Sequence, residues 1–294
     1  MSADFWIMLT GALAGGACAL VGTFLVLRRM SMLGDAISHA VLPGITIAFL
    51  LSGSRSSIPM ILGAAAFGVL TSFLVETLHR RGRLQQDASI GVTFTWLFAI
   101  GVIMISRFAG QVDLDQDCVL YGEIAFVPLD TIAVAGMEIP EAVLTLGGIF
   151  IANLLFVFIA RKELAITSFD PALATSLGIS ATLWHYSLMG MVSLTTVGAF
   201  WSVGAILVVA MLIVPAATAW LLTDRLGVML GMAVGLATVA SVLGYGLATL
   251  IDGSIAGGIA VVSGVIFALA LFFSPLHGIV PTRRRRRTAT AEAM

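Results

Sequence analysis

The feature that leaves this chain fewest options is a series of apolar stretches, at about 5–27, 33–52, 58–78, 88–106, 141–160, 183–198, 201–222, 227–249 and 255–273. A run of about 20 apolar residues crosses a hydrocarbon core of roughly 30 Å as one helix. Of the 294 residues only 11% are charged, against about a quarter in a soluble domain, so a water-soluble globular fold is excluded. The stretches are too long for membrane β-strands of about ten alternating residues. They predict an all-α polytopic transmembrane bundle of eight or nine spans. Between Gly198 and Gly204 the pattern leaves a tight turn, a re-entrant kink or one bent element open.

Alternating the loops between two sides puts Arg28, Arg29, Arg80, Arg81, Arg83, Arg161, Lys162, Arg225 and Arg283 to Arg287 together, which is 13 of the 15 basic residues. Basic loops stay cytoplasmic, so the expected topology has the N-terminus outside and the C-terminus inside. The membrane domain covers 1–282 and a basic tail 283–294. Five consecutive arginines after a last span read as an anchor to anionic lipid, with no nucleic-acid partner implied. The opposite side carries an acidic loop, 107–140, with Asp113, Asp115, Asp117, Glu123, Asp130 and Glu138. Its Asp-x-Asp-x-Asp opening has Cys118 and Ile124 where an EF-hand needs glycine and glutamate, so a diffuse cation funnel or a docking surface is the better reading. Cys18 and Cys118 support neither a disulfide framework nor a zinc finger. Segment 5–27 lacks a basic leader and reads as a retained span. Gly11-x-x-x-Gly15 within it marks internal packing.

Most ionisable residues of the spans sit near their ends, Glu76, Glu141 and His185 among them. The exception is Gly34-Asp35-Ala-Ile-Ser-His39-Ala-Val-Leu-Pro43-Gly44. There a carboxylate and an imidazole stand at i and i+4 on one helical face. Ten residues at 1.5 Å each put His39 about 15 Å below Arg29, near the midplane. A charge at that depth costs about 2.5–3.5 kcal/mol on insertion scales and needs a partner or a wet cavity. Pro43 has no N–H for the His39 carbonyl, so Pro43 and Gly44 are expected to break the helix at the site. Such oxygen and imidazole donors suit a divalent first-row ion. The competing reading makes Asp35 the cap of a helix starting at Ala36, with His39 bonded to it internally. Two side chains are too few for one ion, and a second subunit facing across a two-fold axis would complete the set.

Between two spans, Phe169-Asp170-Pro171-Ala-Leu-Ala174-Thr-Ser-Leu-Gly178 predicts a short surface helix at about 169–179. Asp170 caps it, Pro171 opens it and Gly178 ends it. So exposed a helix is either an ordinary interfacial element or a docking one.

Together with Val119-Leu-Tyr-Gly-Glu123-Ile and the run Val203 to Pro215-Ala-Ala, these two segments resemble the membrane subunit of bacterial metal-ion ABC importers, which handle manganese, zinc and iron. The resemblance spans nearly the whole chain. It implies that Asp35 and His39 line the metal path, that Glu123 guides metal or supports an outer gate, and that Asp170, Pro171, Ala174 and Gly178 belong to a helix coupling the spans to an ATPase dimer. It also implies a second permease subunit, homologous or identical, an extracytoplasmic metal-binding protein and an inner-membrane location. Manganese is the expected cargo, with zinc and iron as the other candidates, and no permanently bound cofactor is expected.

No Gly-x-x-x-x-Gly-Lys-Ser/Thr loop occurs and Lys162 is the only lysine, so ATP hydrolysis must come from a separate subunit. His39 binds metal only unprotonated, so uptake should weaken on acidification. The principal alternative is a secondary transporter driven by an ion gradient. An intramembrane metalloprotease fits poorly, because Ser38 and His39 point to different helix faces and no His-Glu-x-x-His is present.

Overall fold

Eleven helices account for nearly all the regular structure in the computed structural model, which describes residues 2–52, 57–108, 124–134 and 137–279. They are α1 (Ala3–Leu27), α2 (Met32–Ala40), α3 (Leu42–Ser52), α4 (Ser57–Arg80), α5 (Gln86–Phe108) and α6 (Glu141–Phe169). After them come α7 (Pro171–Ser176), α8 (Ala181–Val203), α9 (Ala205–Leu222), α10 (Leu226–Ile251) and α11 (Ile255–Phe273). Helices dominate because in hydrocarbon each backbone N–H and C=O must find its partner within the chain. Serine and threonine hydroxyls follow the same rule: Thr23 and Thr196 donate to carbonyls four residues back.

Helix α1 is the core of the bundle. Ala17, Cys18, Ala19, Val21, Phe24 and Leu25 are fully buried, enclosed by α6, α8, α9, α10 and, along one side, a short 3₁₀ turn at Val127–Leu129. Without a hydrophobic drive between helices in lipid, close packing has to come from small residues. Gly11 lies against Ser241 and Ile259, and Gly15 against Ala237 and Met211, so this glycine pair is internal, as its setting among many spans led us to expect. Of the α1 glycines Gly22 is tightest: a Cβ there would stand 1.9 Å from the Leu212 carbonyl oxygen. Asn153 ties the centre together, its amide donating to the Ala17 carbonyl at 3.1 Å and to the Thr195 hydroxyl at 2.7 Å.

Helices α2 to α5 form a second group that packs mainly within itself, with α8 touching both groups. Among the described residues eight helical stretches are long and apolar enough to cross a membrane, α2 and α3 counting as one. Helix α8, which carries His185, Tyr186 and several threonines, is less apolar than these eight. It nevertheless runs from His185, beside Arg28, past Asn153 to Gly198, beside Ile149, and so traverses the same depth as α6. The separation of α8 from α9 is Gly204 alone, at φ +80° and ψ 161°, a conformation that glycine adopts freely. Gly198, expected near a boundary, lies inside α8.

Arg28, Arg80 and Arg161 lie at one end of the bundle, where Arg28 meets Ser168 and His185. There Ser274 Oγ bonds the Leu221 carbonyl, and His277 stacks on Trp220 and meets Asp224 at 3.0 Å. At the other end Tyr245 donates to Asp4 at 2.6 Å. The first and last helices thus both finish at the basic end, and the first begins at the other.

Two local expectations needed correction. Helix α6 does not stop near 160 but continues to Phe169, because Leu164 and Thr167 keep an inward face in the core. The loop 107–140 contains a hairpin that hydropathy did not reveal, strands β1 (Thr131–Val134) and β2 (Met137–Pro140), with Thr131 opposite Pro140 and Val134 opposite Met137. The Glu141 amide donates to the Asp130 carbonyl at 3.1 Å, fastening the hairpin to the start of α6.

Gly22→Ala is expected to lower stability by about 1–3 kcal/mol through overpacking, read as thermal unfolding in detergent. Gly235→Ala, where a Cβ meets open space, should be neutral or stabilising.

Candidate functional site

Ser31 precedes α2, and Asp35 and His39 lie one turn apart within it. Asp35 is therefore inside the helix rather than its cap, against the reading that started a helix at Ala36. Asp35 Oδ1 and His39 Nε2 are 3.6 Å apart, beyond hydrogen-bond length. The two side chains retain 41% and 37% of their exposure in the single chain. Neither donor is spent on the other, and both open on the flank of the bundle. Donors at this spacing, each about 2.1 Å from one ion, would subtend an angle near the tetrahedral one.

The imidazole is confined by α5. Its ring lies 5.9 Å from that of Phe98, edge to face, and 6.1 Å from that of Phe94. These phenyl rings supply no ligand, and they limit how far the imidazole can swing. Their four-residue spacing was visible in the sequence, but nothing there showed that this face of α5 would meet α2. On the inner flank, Leu33 and Ile37 are fully buried and fix the rotation of α2 that leaves Asp35 and His39 outward.

The predicted break is present, and its parts divide the work differently from expectation. The interruption falls at Val41, between α2 and α3, where Pro43 cannot donate to the carbonyl of His39. Gly44 serves packing: a Cβ there would stand 2.5 Å from the Gly63 carbonyl oxygen, and one on Gly63 would stand 2.6 Å from that of Gly44. The two glycines let α3 and α4 cross in contact. Among the described residues no group of three or more His, Cys, Asp or Glu side chains could hold a metal. Among the described residues, Asp35 and His39 are two potential donors that the fold holds one turn apart. Glu123 and the aspartates 113, 115 and 117 lie outside the described residues.

The second predicted element is α7. Asp170 Oδ1 accepts from the Leu173 amide at 2.9 Å and Pro171 is the first helical residue. Gly178, at φ +79°, closes the helix as the Ile179 amide returns to the Ala174 carbonyl at 2.9 Å. Ala174, assigned to the coupling surface, is fully buried against its own chain. The large apolar residues exposed here are Phe169 at the end of α6, Leu173 within α7 and Leu177 just after it. Sequence reading passed over them because nothing in it says which face of so short a helix is covered.

The sequence profile of the ABC 3 transport family matches residues 3–274. Over 286 residues the chain is 52% identical to the manganese transport system membrane protein MntD of Bacillus subtilis strain 168, covering 97% of each. It is 47% identical over 274 residues to the zinc transport system membrane protein TroD of Treponema pallidum, covering 93% of this chain and 75% of that protein. A chain of the structure of PsaBC from Streptococcus pneumoniae in complex with Fab superposes with a TM-score of 0.78 at 33% identity, covering 94% of both chains.

Asp170→Ala removes an N-cap and Gly178→Ala strains a left-handed position. Each should destabilise α7 by about 1 kcal/mol, measured as faster amide exchange at Leu173 to Ile179 with the bundle core unchanged.

Proposed function

The chain belongs to the ABC 3 transport family, and from that premise we propose that it is the permease subunit of an ATP-driven importer for a divalent transition-metal ion, manganese first and zinc or iron next, in the bacterial inner membrane. One observation carries the metal reading: Asp35 and His39 stand one turn apart beside a helix break, too distant to bond each other and open to a partner. The preference for manganese rests on the 52% identity to a manganese permease and on the hard carboxylate donor.

A second permease, identical or paralogous, would bring its own carboxylate and imidazole to the open flank and complete the coordination. Lipid against this pair would leave two polar side chains in hydrocarbon, so a protein partner or a water-filled path is the better neighbour. Glu123 would act earlier on the route, guiding metal received from an extracytoplasmic binding protein. The basic end of the bundle faces the cytoplasm in this scheme.

Energy comes from an ATPase dimer, since the chain has no nucleotide-binding loop. Helix α7 and its two flanks offer it the exposed apolar residues Phe169, Leu173 and Leu177, while Asp170, Pro171 and Gly178 shape the helix and Ala174 seats it. Binding and hydrolysis of ATP then switch the spans between outward-open and inward-open arrangements.

The test is radiomanganese uptake into vesicles holding the permease with its ATPase. His39→Ala should reduce uptake by more than about tenfold in protein that still assembles, and near-normal uptake would remove the site. Leu173→Asp with Leu177→Asp should abolish transport-coupled ATPase activity while metal binding persists. Uptake that continues without ATPase activity on a proton gradient would favour a secondary transporter.

A further inference from the structure

At the basic end, two adjoining cavities of about 410 and 170 Å³ share Glu76, Arg80 and His185. Arg28 and Gln86 line the larger, and Phe73, Arg81 and Thr182 the smaller. Neither belongs to the metal site or to the exposed apolar residues around α7.

What they hold in surplus is hydrogen-bond donors. Arg28 donates to Ser168 Oγ at 2.9 Å and to Thr167 Oγ1 at 3.0 Å, and its remaining contact is His185 Nδ1 at 3.4 Å. Among the described residues no carboxylate pairs with it. Burial pushes its guanidinium down to about 10, which leaves it charged at neutral pH. With Nδ1 accepting from Arg28, the imidazole carries its proton on Nε2, and that atom is buried without a partner. Glu76, the carboxylate lining the cavities, is engaged by Arg80. Three guanidinium groups therefore face one carboxylate across an unpaired N–H, and the missing complement is an acceptor bearing negative charge.

The rim narrows the choice of anion. Phe73 is half exposed and Leu183, next to Thr182, is 62% exposed, so the smaller cavity opens beside apolar surface of α4 and α8. A basic pocket between spans with an apolar margin suits a headgroup attached to acyl chains. We propose that these cavities bind the phosphate of an anionic phospholipid, with Arg28 and His185 at its inner side, Arg81 at its rim and an acyl chain along Phe73 and Leu183.

The experiment uses the full chain assembled with its ATPase and native mass spectrometry after exposure to equal phosphatidylglycerol and phosphatidylcholine. Phosphatidylglycerol should be retained about fivefold more, and Arg81→Gln should lower that retention about fivefold, the weight of one basic group at an anionic headgroup. His185→Phe should lower it as well, with an unchanged thermal transition establishing that the ring substitution is tolerated. Arg81 is exposed, so its variant keeps the test decisive if the His185 variant does not fold. Equal retention of the two lipids, or retention indifferent to both substitutions, would overturn the proposal. Inorganic phosphate bound in lipid-free detergent with the same His185 dependence, but no preference for phosphatidylglycerol, would overturn the lipid as occupant and leave a soluble phosphate site. Loss of the preference only when the ATPase is present would overturn it in favour of an acidic side chain of that subunit.

Discussion

A carboxylate and an imidazole placed mid-helix in a lipid-embedded bundle set the terms for the rest of this structure. Hydrocarbon offers neither of them a partner, so their surroundings have to be supplied by protein, water or cargo. The chain arranges the inner flank of α2 with Leu33 and Ile37 in the core and leaves the pair open on the other side. It limits the imidazole with two aromatic rings from α5 and interrupts the helix two residues later. Among the described residues no third His, Cys, Asp or Glu side chain joins Asp35 and His39. In the function we propose, that open flank is where a second subunit completes the pathway.

The opposite requirement holds at the basic end. In the function we propose, the chain presents a surface there to a soluble partner without loosening the bundle. The α7 turn meets both needs, with Asp170 satisfying an N-terminal amide and Gly178 reversing the backbone. Ala174 anchors the inner side while Phe169, Leu173 and Leu177 lie exposed. Because α7 is capped at both ends and seated by a buried methyl group, it moves with the helices it joins rather than as a free loop.

The sequence made the class of fold legible because hydrocarbon permits so few alternatives: an apolar run of about 20 residues is a helix or nothing. The short-range chemistry was equally visible, since Asp35 and His39 at i and i+4, the Asp170-Pro171 cap and the Gly178 stop are each decided within one or two turns. Features that depend on which faces meet were not. Phe94 and Phe98 gain their role only when α5 lies on α2, and Ala174 and Leu173 exchange roles once the covered side of α7 is known. The end of α6 was misplaced because polar residues from Glu163 onward resemble a loop until Leu164 and Thr167 find the core. The β1–β2 hairpin escaped because eight residues between long spans carry too little periodic signal.

Helix α8 joins these two requirements. It begins immediately beyond α7, packs along α4 and α6, reaches α2, and ends at the one glycine that turns the chain into α9. A displacement imposed on α7 has two rigid routes into the bundle, α6 behind it and α8 ahead of it. Only α8 also packs against α2, the helix bearing Asp35 and His39. Its interior contacts fasten it to its neighbours: Gly68 makes room for Ser193, whose hydroxyl donates to the Ala65 carbonyl at 3.0 Å, and Thr195 accepts from Asn153. Since packed cores shift between discrete arrangements rather than deforming continuously, a small rotation of α8 would move the inner flank of α2, around Ser38, as a unit. That is why a polar, less hydrophobic span belongs at this position: a more apolar helix would pack as well, but it would lack Thr195 at the central bond and His185 beside Arg28.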